Sequence, residues 1–161
     1  MLQKDKSKRP SIEAVIKHPS FWEEEEKLQF FINVNGRLKQ EKPNKRNSQL
    51  LQTLETSQSA IFNNDWTQLL CQTVQTLVIN YTRKKYDTKS VQKLIEFIRD
   101  KHQHQEDWPI DVKKLFETTK YIEYFTSLFP LLLVHTYAVM QECKQEEKFK
   151  NYYDPSNQRY F

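Results

Sequence analysis

One glycine, Gly36, serves this entire 161-residue chain. Tight hairpins need residues at positive φ, which glycine supplies without steric cost. A sheet protein of this length would want several glycines, so an all-α fold is expected. Ten Phe, eight Tyr and three Trp stand beside the aliphatics. That is enough apolar material for one buried core in a chain of single-domain size.

The hydrophobic spacing predicts a compact domain of about seven or eight short helices. Ser11 reads as the cap of a first helix with Ile12, Val15 and Ile16 on one face, ended by Pro19. Ser20 is expected to cap a second helix, with Glu23 to Glu26 near its positive end. Leu28, Phe31 and Ile32 form its apolar face until Asn35-Gly36 interrupts it. After a polar loop at 42–48, Leu50, Leu51 and Leu54 mark a short helix, closed by the polar stretch from Glu55 to Ser59.

Asp65 reads as the cap of a longer helix running through Leu69, Leu70, Val74, Leu77 and Val78. Ser90 opens another, with Val91, Leu94, Ile95 and Ile98 at i, i+3, i+4 and i+7. Trp108-Pro109 breaks the chain before two short helices, at Asp111–Phe116 and Thr119–Leu128. Pro130 opens the last one, through Leu133, Tyr137 and Met140 to about Gln145. From Asn151 onward the tail is polar and aromatic.

Several function classes are disfavoured by what is missing. A single glycine cannot build a glycine-rich phosphate loop. His18, His102, His104 and His135 form neither an HExxH pair nor zinc-ligand spacing. Carboxylates never fall into a calcium or magnesium loop pattern. No cofactor or metal is expected, and any catalysis should be acid–base chemistry by side chains. Cys71 and Cys143 both fall in apolar helical patterns and read as buried free thiols. The longest apolar run, Leu131 to Val134, is far short of a membrane span, and the N-terminus reads as neither signal peptide nor anchor.

The net charge is +4, concentrated in three basic clusters. These are Lys4 to Arg9; Arg37, Lys39, Lys42, Lys45 and Arg46; and Arg83 to Lys85. Interleaved with aromatics they are compatible with an RNA partner, although solvated helix ends give the same pattern.

Three segments carry a family resemblance. Arg9-Pro10-Ser11 through His18-Pro19-Ser20-Phe21-Trp22 resembles the last helix of a protein-kinase lobe. Glu25-Glu26-Lys27-Leu28-Gln29-Phe30-Phe31 follows it directly. Tyr124-Phe125-Thr126-Ser127-Leu128-Phe129-Pro130, continuing to Tyr137, and then Tyr152-Tyr153 complete the set. In this order they resemble the end of the kinase lobe and the nuclease extension that follows it in the inositol-requiring kinase–endoribonucleases of the unfolded-protein response, an extension that ribonuclease L shares. The likeness covers most of residues 9–153 and is thinnest over about 40–80, where little beyond Asp65-Trp66 aligns.

The resemblance implies a piece of a larger protein on the cytosolic side of the endoplasmic reticulum membrane. Residues 1–20 would be a kinase-lobe remnant, 21–153 the nuclease extension and 154–161 a tail. The kinase's catalytic motifs are absent from the chain, so it carries no kinase activity. The implied function is metal-independent cleavage of single-stranded or hairpin RNA, activated by homodimerisation through the nuclease and the kinase lobe. The ribose 2′-OH attacks the adjacent phosphorus and leaves a 2′,3′-cyclic phosphate, which DNA cannot do.

The family pattern is a Tyr, then an Arg-Asn pair on the next helix, then a His four residues after the Asn. Here the matching residues are Tyr86, Arg99, Asp100 and His104. By resemblance, His104 is the general acid, Tyr86 the base or 2′-OH contact, and Arg99 the clamp on the scissile phosphate. His18, His102 and His135 read as structural.

Asp100 departs from the pattern, because ionised Asp only accepts hydrogen bonds and adds negative charge beside a phosphodiester. It is expected to pair with Arg99 or His104. Leu128 also departs, standing where many relatives carry a basic residue. The alternative is therefore an RNA-binding or dimerisation module of the same fold with weak or lost cleavage. A generic helical adaptor is the third reading.

Overall fold

The computed structural model describes residues 18–41, 48–79 and 85–153, together with Val15. The helix opened by Ser11, the loop at 42–47 and the tail from 154 lie outside the described residues. So do the kinase-like segment before His18 and the basic residues at 4–9, 42–46 and 83–84.

Eight α-helices of five residues or more, and no strand, make up the described residues. They are α1 (Glu24–Gln40), α2 (Gln49–Glu55), α3 (Gln58–Phe62), α4 (Gln72–Ile79), α5 (Val91–Gln103), α6 (Ile110–Thr118), α7 (Tyr121–Leu128) and α8 (Pro130–Met140). A single four-residue turn of helix, α9 (Lys150–Tyr153), follows. The all-α expectation holds.

Two central helices organise the rest. The most extensive pairing is α1 on α5, and α2 packs on both α5 and α8. Val91, Leu94, Ile95 and Ile98 are buried as their spacing requires. Glu96, on the polar side of the same helix, is buried as well, paired with Lys39 of α1 at 3.3 Å and Lys93 at 2.8 Å. α5 is thus enclosed on more than one side, which a single apolar stripe does not reveal.

The start of α5 is fixed from a distance. Ser90 accepts the Lys93 N–H, and Glu55, at the end of α2, accepts the Ser90 hydroxyl and the N–H groups of Val91 and Gln92 at 2.7–3.0 Å. One carboxylate satisfies two of the four orphan donors of a helix N-terminus and meets its positive end. At α8, His135 donates its Nε2–H to the Leu54 carbonyl at 2.8 Å, a structural role as expected. An aromatic cluster of Trp22, Phe30, Tyr137 and Tyr152 ties the first and last elements together.

Several boundaries differ from the sequence reading. Asn35-Gly36 does not interrupt α1, which runs on to Gln40 because Val34, Asn35 and Leu38 are buried. Packing of that face outweighs the ~1 kcal/mol helix penalty of one glycine. Ser20 lies in a 3₁₀ turn, Pro19–Phe21, and Glu23 stands at the cap position of α1. The polar stretch after Glu55 re-forms helix as α3 from Gln58.

Asp65 does cap, accepting the Thr67 N–H at 2.9 Å, but it caps a 3₁₀ turn at Trp66–Leu69. α4 starts separately, and Gln75 bridges the break by donating to the Thr67 and Leu70 carbonyls. Cys143 is buried, whereas Cys71 is exposed at this break, contrary to its apolar pattern. The last helix ends at Met140 and tightens into a 3₁₀ turn to Cys143.

Candidate functional site

Tyr86 sits in an extended segment just before α5, and Trp66 holds that segment in place. The Trp66 backbone N–H donates to the Thr88 carbonyl at 3.1 Å, and its indole N–H to the Asp87 carbonyl at 3.3 Å. The Tyr86 ring meets Phe97 of α5 edge-on at 5.4 Å and Trp66 at 6.4 Å. Such edge-to-face contacts fix the ring while leaving its hydroxyl to polar partners.

That hydroxyl donates to Asp100 Oδ2 at 3.1 Å, and Arg99 Nη1 donates to Asp100 Oδ1 at 2.9 Å. One carboxylate therefore holds a phenol and a guanidinium, one on each oxygen. Asp100 pairs with Arg99, as the sequence reading allowed, and not with His104. On the helical wheel Asp100 falls opposite the apolar stripe, yet its side chain is only 18% exposed. The Tyr86 segment covers it, which no periodicity within α5 could report. Burial, then the Asp100 charge, pushes the Tyr86 phenol well above its ordinary range.

His104 stands apart from this trio. It is the C-cap of α5, where its backbone N–H reaches the Lys101 carbonyl at 3.3 Å. Its imidazole is two-thirds exposed, with Nδ1 3.8 Å from Asp107 Oδ2. His102 lies tilted against Tyr121 at 5.5 Å, and the Tyr121 hydroxyl donates to the Ile98 carbonyl at 2.6 Å. Burial lowers the His102 pKa, which agrees with its structural assignment. His18 is exposed and accepts the Ser20 N–H, a local capping role.

Lys101 is the residue that sequence reasoning missed. It is 7% exposed, with its ammonium 5.9 Å from the centre of the Phe97 ring. Burial lowers its pKa against the opposing pull of Asp100 and Asp107. With Leu77, His104, Asp107 and Trp108 it lines a pocket of about 240 Å³. The signal was available, since on the helical wheel Lys101 falls next to Leu94 at the edge of the buried stripe. Among the described residues no group of three His, Cys, Asp or Glu side chains converges as a metal site would require.

Arg37 is tied to Glu41 and Glu146, and Lys39 to Glu96, so these two serve the fold. Leu128 ends α7 and packs partly buried against the core.

An all-helical domain that sets a phenol and a guanidinium on one carboxylate, with an imidazole at the end of the same helix, carries the side-chain types that acid–base chemistry on a phosphodiester uses. Residues 27–153 match the Ribonuclease 2-5A family, and the chain belongs to it. It is 33% identical over 155 residues to the sensor for unfolded proteins in the ER ire1 of Schizosaccharomyces pombe, covering 94% of this chain and 14% of that protein. It is 31% identical over 152 residues to the human serine/threonine-protein kinase/endoribonuclease IRE2, covering 93% of this chain and 16% of that one. Against the serine/threonine-protein kinase/endoribonuclease IRE1a of Arabidopsis thaliana the figures are 31% over 156 residues, 95% and 18%. The chain thus spans less than a fifth of the length of these relatives. No single helix among the described residues is long and apolar enough to cross a membrane.

Proposed function

We propose that the chain is a metal-independent endoribonuclease domain, activated by dimerisation, that cleaves single-stranded or hairpin RNA to a 2′,3′-cyclic phosphate. The observation that carries this reading is the convergence of Tyr86, Asp100 and Arg99 on one another within a family-matched domain. Tyr86 contacts the attacking 2′-hydroxyl, Arg99 holds the scissile phosphate through its planar fork, and His104 protonates the departing 5′-oxygen. Attack within one nucleotide makes positioning and charge stabilisation the main work of the protein. On this reading the domain acts in the response to unfolded proteins, as part of a larger protein on the cytosolic side of the endoplasmic reticulum membrane; the fission-yeast relative's name, a sensor for unfolded proteins in the ER, supports the first part.

A second reading is an RNA-binding or dimerisation module with weak or lost cleavage. The Arg99–Asp100 pair favours it, because an arginine held by a carboxylate is less available to a phosphate. One assay separates the two readings. The chain, dimerised artificially, is incubated with a hairpin RNA in EDTA, and the products are examined for cyclic-phosphate ends. Cleavage abolished by His104→Ala supports the endoribonuclease. Binding without cleavage in the wild type, with cleavage appearing in Asp100→Asn, supports the module.

A further inference from the structure

Tyr86 is poorly placed to act as a base by itself. Its hydroxyl already donates to Asp100 Oδ2, and its half-buried ring is wedged against Phe97 and Trp66. A phenol that keeps its own proton can accept another only if the first one leaves. Asp100 offers an exit. Asp100 Oδ2 is 3.1 Å from the phenolic oxygen, while Arg99 occupies Oδ1 at 2.9 Å and so orients the carboxylate with Oδ2 toward Tyr86. An asparagine at this position could accept the hydrogen bond but never the proton.

We propose that Asp100 is the terminal proton acceptor for the attacking 2′-hydroxyl, with Tyr86 as the relay between them. This rests on the endoribonuclease reading and makes Asp100 an asset to cleavage, acting through Tyr86. In the step, the 2′-O–H proton moves to the Tyr86 oxygen as the phenolic proton moves to Asp100 Oδ2. The freed 2′-oxygen forms its bond to phosphorus, the bond from phosphorus to the 5′-oxygen breaks, and protonated His104 gives that oxygen its proton. Asp100 ends as the neutral acid and His104 as the neutral base. Exchange with water restores both, since the Asp100 side chain keeps 18% exposure and His104 is open.

Among the described residues, groups from three elements act on this relay. Arg99 and Lys101 flank Asp100 on α5, and Glu96 acts on Tyr86 from the turn before. Tyr121 of α7 is within electrostatic reach of both Asp100 and Tyr86. Asp107 acts on Lys101 from beyond the helix end.

The test uses the same dimerised chain and hairpin RNA, with kcat and KM measured as functions of pH. Asp100→Asn is expected to lower kcat at neutral pH by about 10²–10⁴-fold, the usual contribution of a positioned base, with KM little changed. It should also remove the acid limb of the wild-type kcat profile. Asp100→Glu, which keeps a carboxylate, should recover at least part of the rate and restore that limb. Tyr86→Phe should fall as far as Asp100→Asn, and the double variant no further, because the two act as one unit. Asp100→Asn that cleaves as fast as wild type or faster overturns the relay, as do losses that multiply in the double variant. A wild type that does not cleave RNA overturns the endoribonuclease reading and the relay with it. Thermal melting identifies any variant that fails to fold, and a wild-type profile with no acid limb overturns the relay without any variant.

Discussion

Asp65 Oδ2 accepts the Thr88 hydroxyl at 3.0 Å across 23 residues of sequence, while Oδ1 accepts the Thr67 N–H and hydroxyl. The residue that caps the turn at Trp66 therefore also anchors the segment carrying Tyr86.

This anchor predicts an acid-sensitive contribution to stability. Burial pushes the Asp65 carboxyl up, but the hydrogen bonds from Thr67 and Thr88 outweigh it and hold the pKa below its ordinary value. A depressed folded-state pKa stabilises the fold above the unfolded value, about 4, and that stability disappears as pH falls through the folded value. Asp65→Asn is expected to cost about 1 kcal/mol at pH 7, a difference that shrinks progressively below about pH 4. Urea unfolding of both proteins over a pH series measures it.

Glu55 reaches the N-terminus of α5 from α2 and accepts three hydrogen bonds there. Glu55→Ala leaves two backbone donors without that carboxylate and is expected to cost about 2 kcal/mol in chemical unfolding. Because α5 carries Arg99 and Asp100, RNA cleavage should fall along with the melting temperature. An unchanged melting temperature would show the contact to be dispensable.

Backbone freedom is placed against expectation at two positions. Gly36 lies inside α1, where an added Cβ meets nothing within 4 Å. Gly36→Ala is expected to stabilise the domain by roughly 0.5–1 kcal/mol. Asn63, at φ 62 and ψ −107, occupies backbone space that side chains resist. Asn63→Gly is expected to raise the melting temperature as well, by relieving part of a strain of order 1 kcal/mol. Calorimetry of the two variants checks both signs.

The two thiols should separate by reactivity. Cys71 is exposed, whereas Cys143 is buried and its thiol is pushed up to about 11, by burial first and Glu146 second. A thiol reagent at pH 8 is expected to modify one cysteine in the native protein and two in denaturant. Rapid modification of both in the native state would contradict the packing around Cys143.

The sequence alone determined what depends on near neighbours in the chain. Val91, Leu94, Ile95 and Ile98 marked the buried stripe of α5, Ser90 its start and Pro130 the start of α8, because each signal acts within a turn or two of helix. Tyr86, Arg99 and His104 were picked out as candidates through resemblance, and no local pattern would have singled them out. The tertiary structure decided what lies on the other faces. α1 buries Glu96, the Tyr86 segment covers Asp100, and Lys101 turns to Phe97 and the pocket beside His104. Those outcomes depend on contacts between residues far apart in sequence, where packing and hydrogen bonding outweigh the preferences of any single helix. The one glycine shows the same division. Its scarcity announced helices, and only the packing of Val34 and Leu38 carried one straight through it.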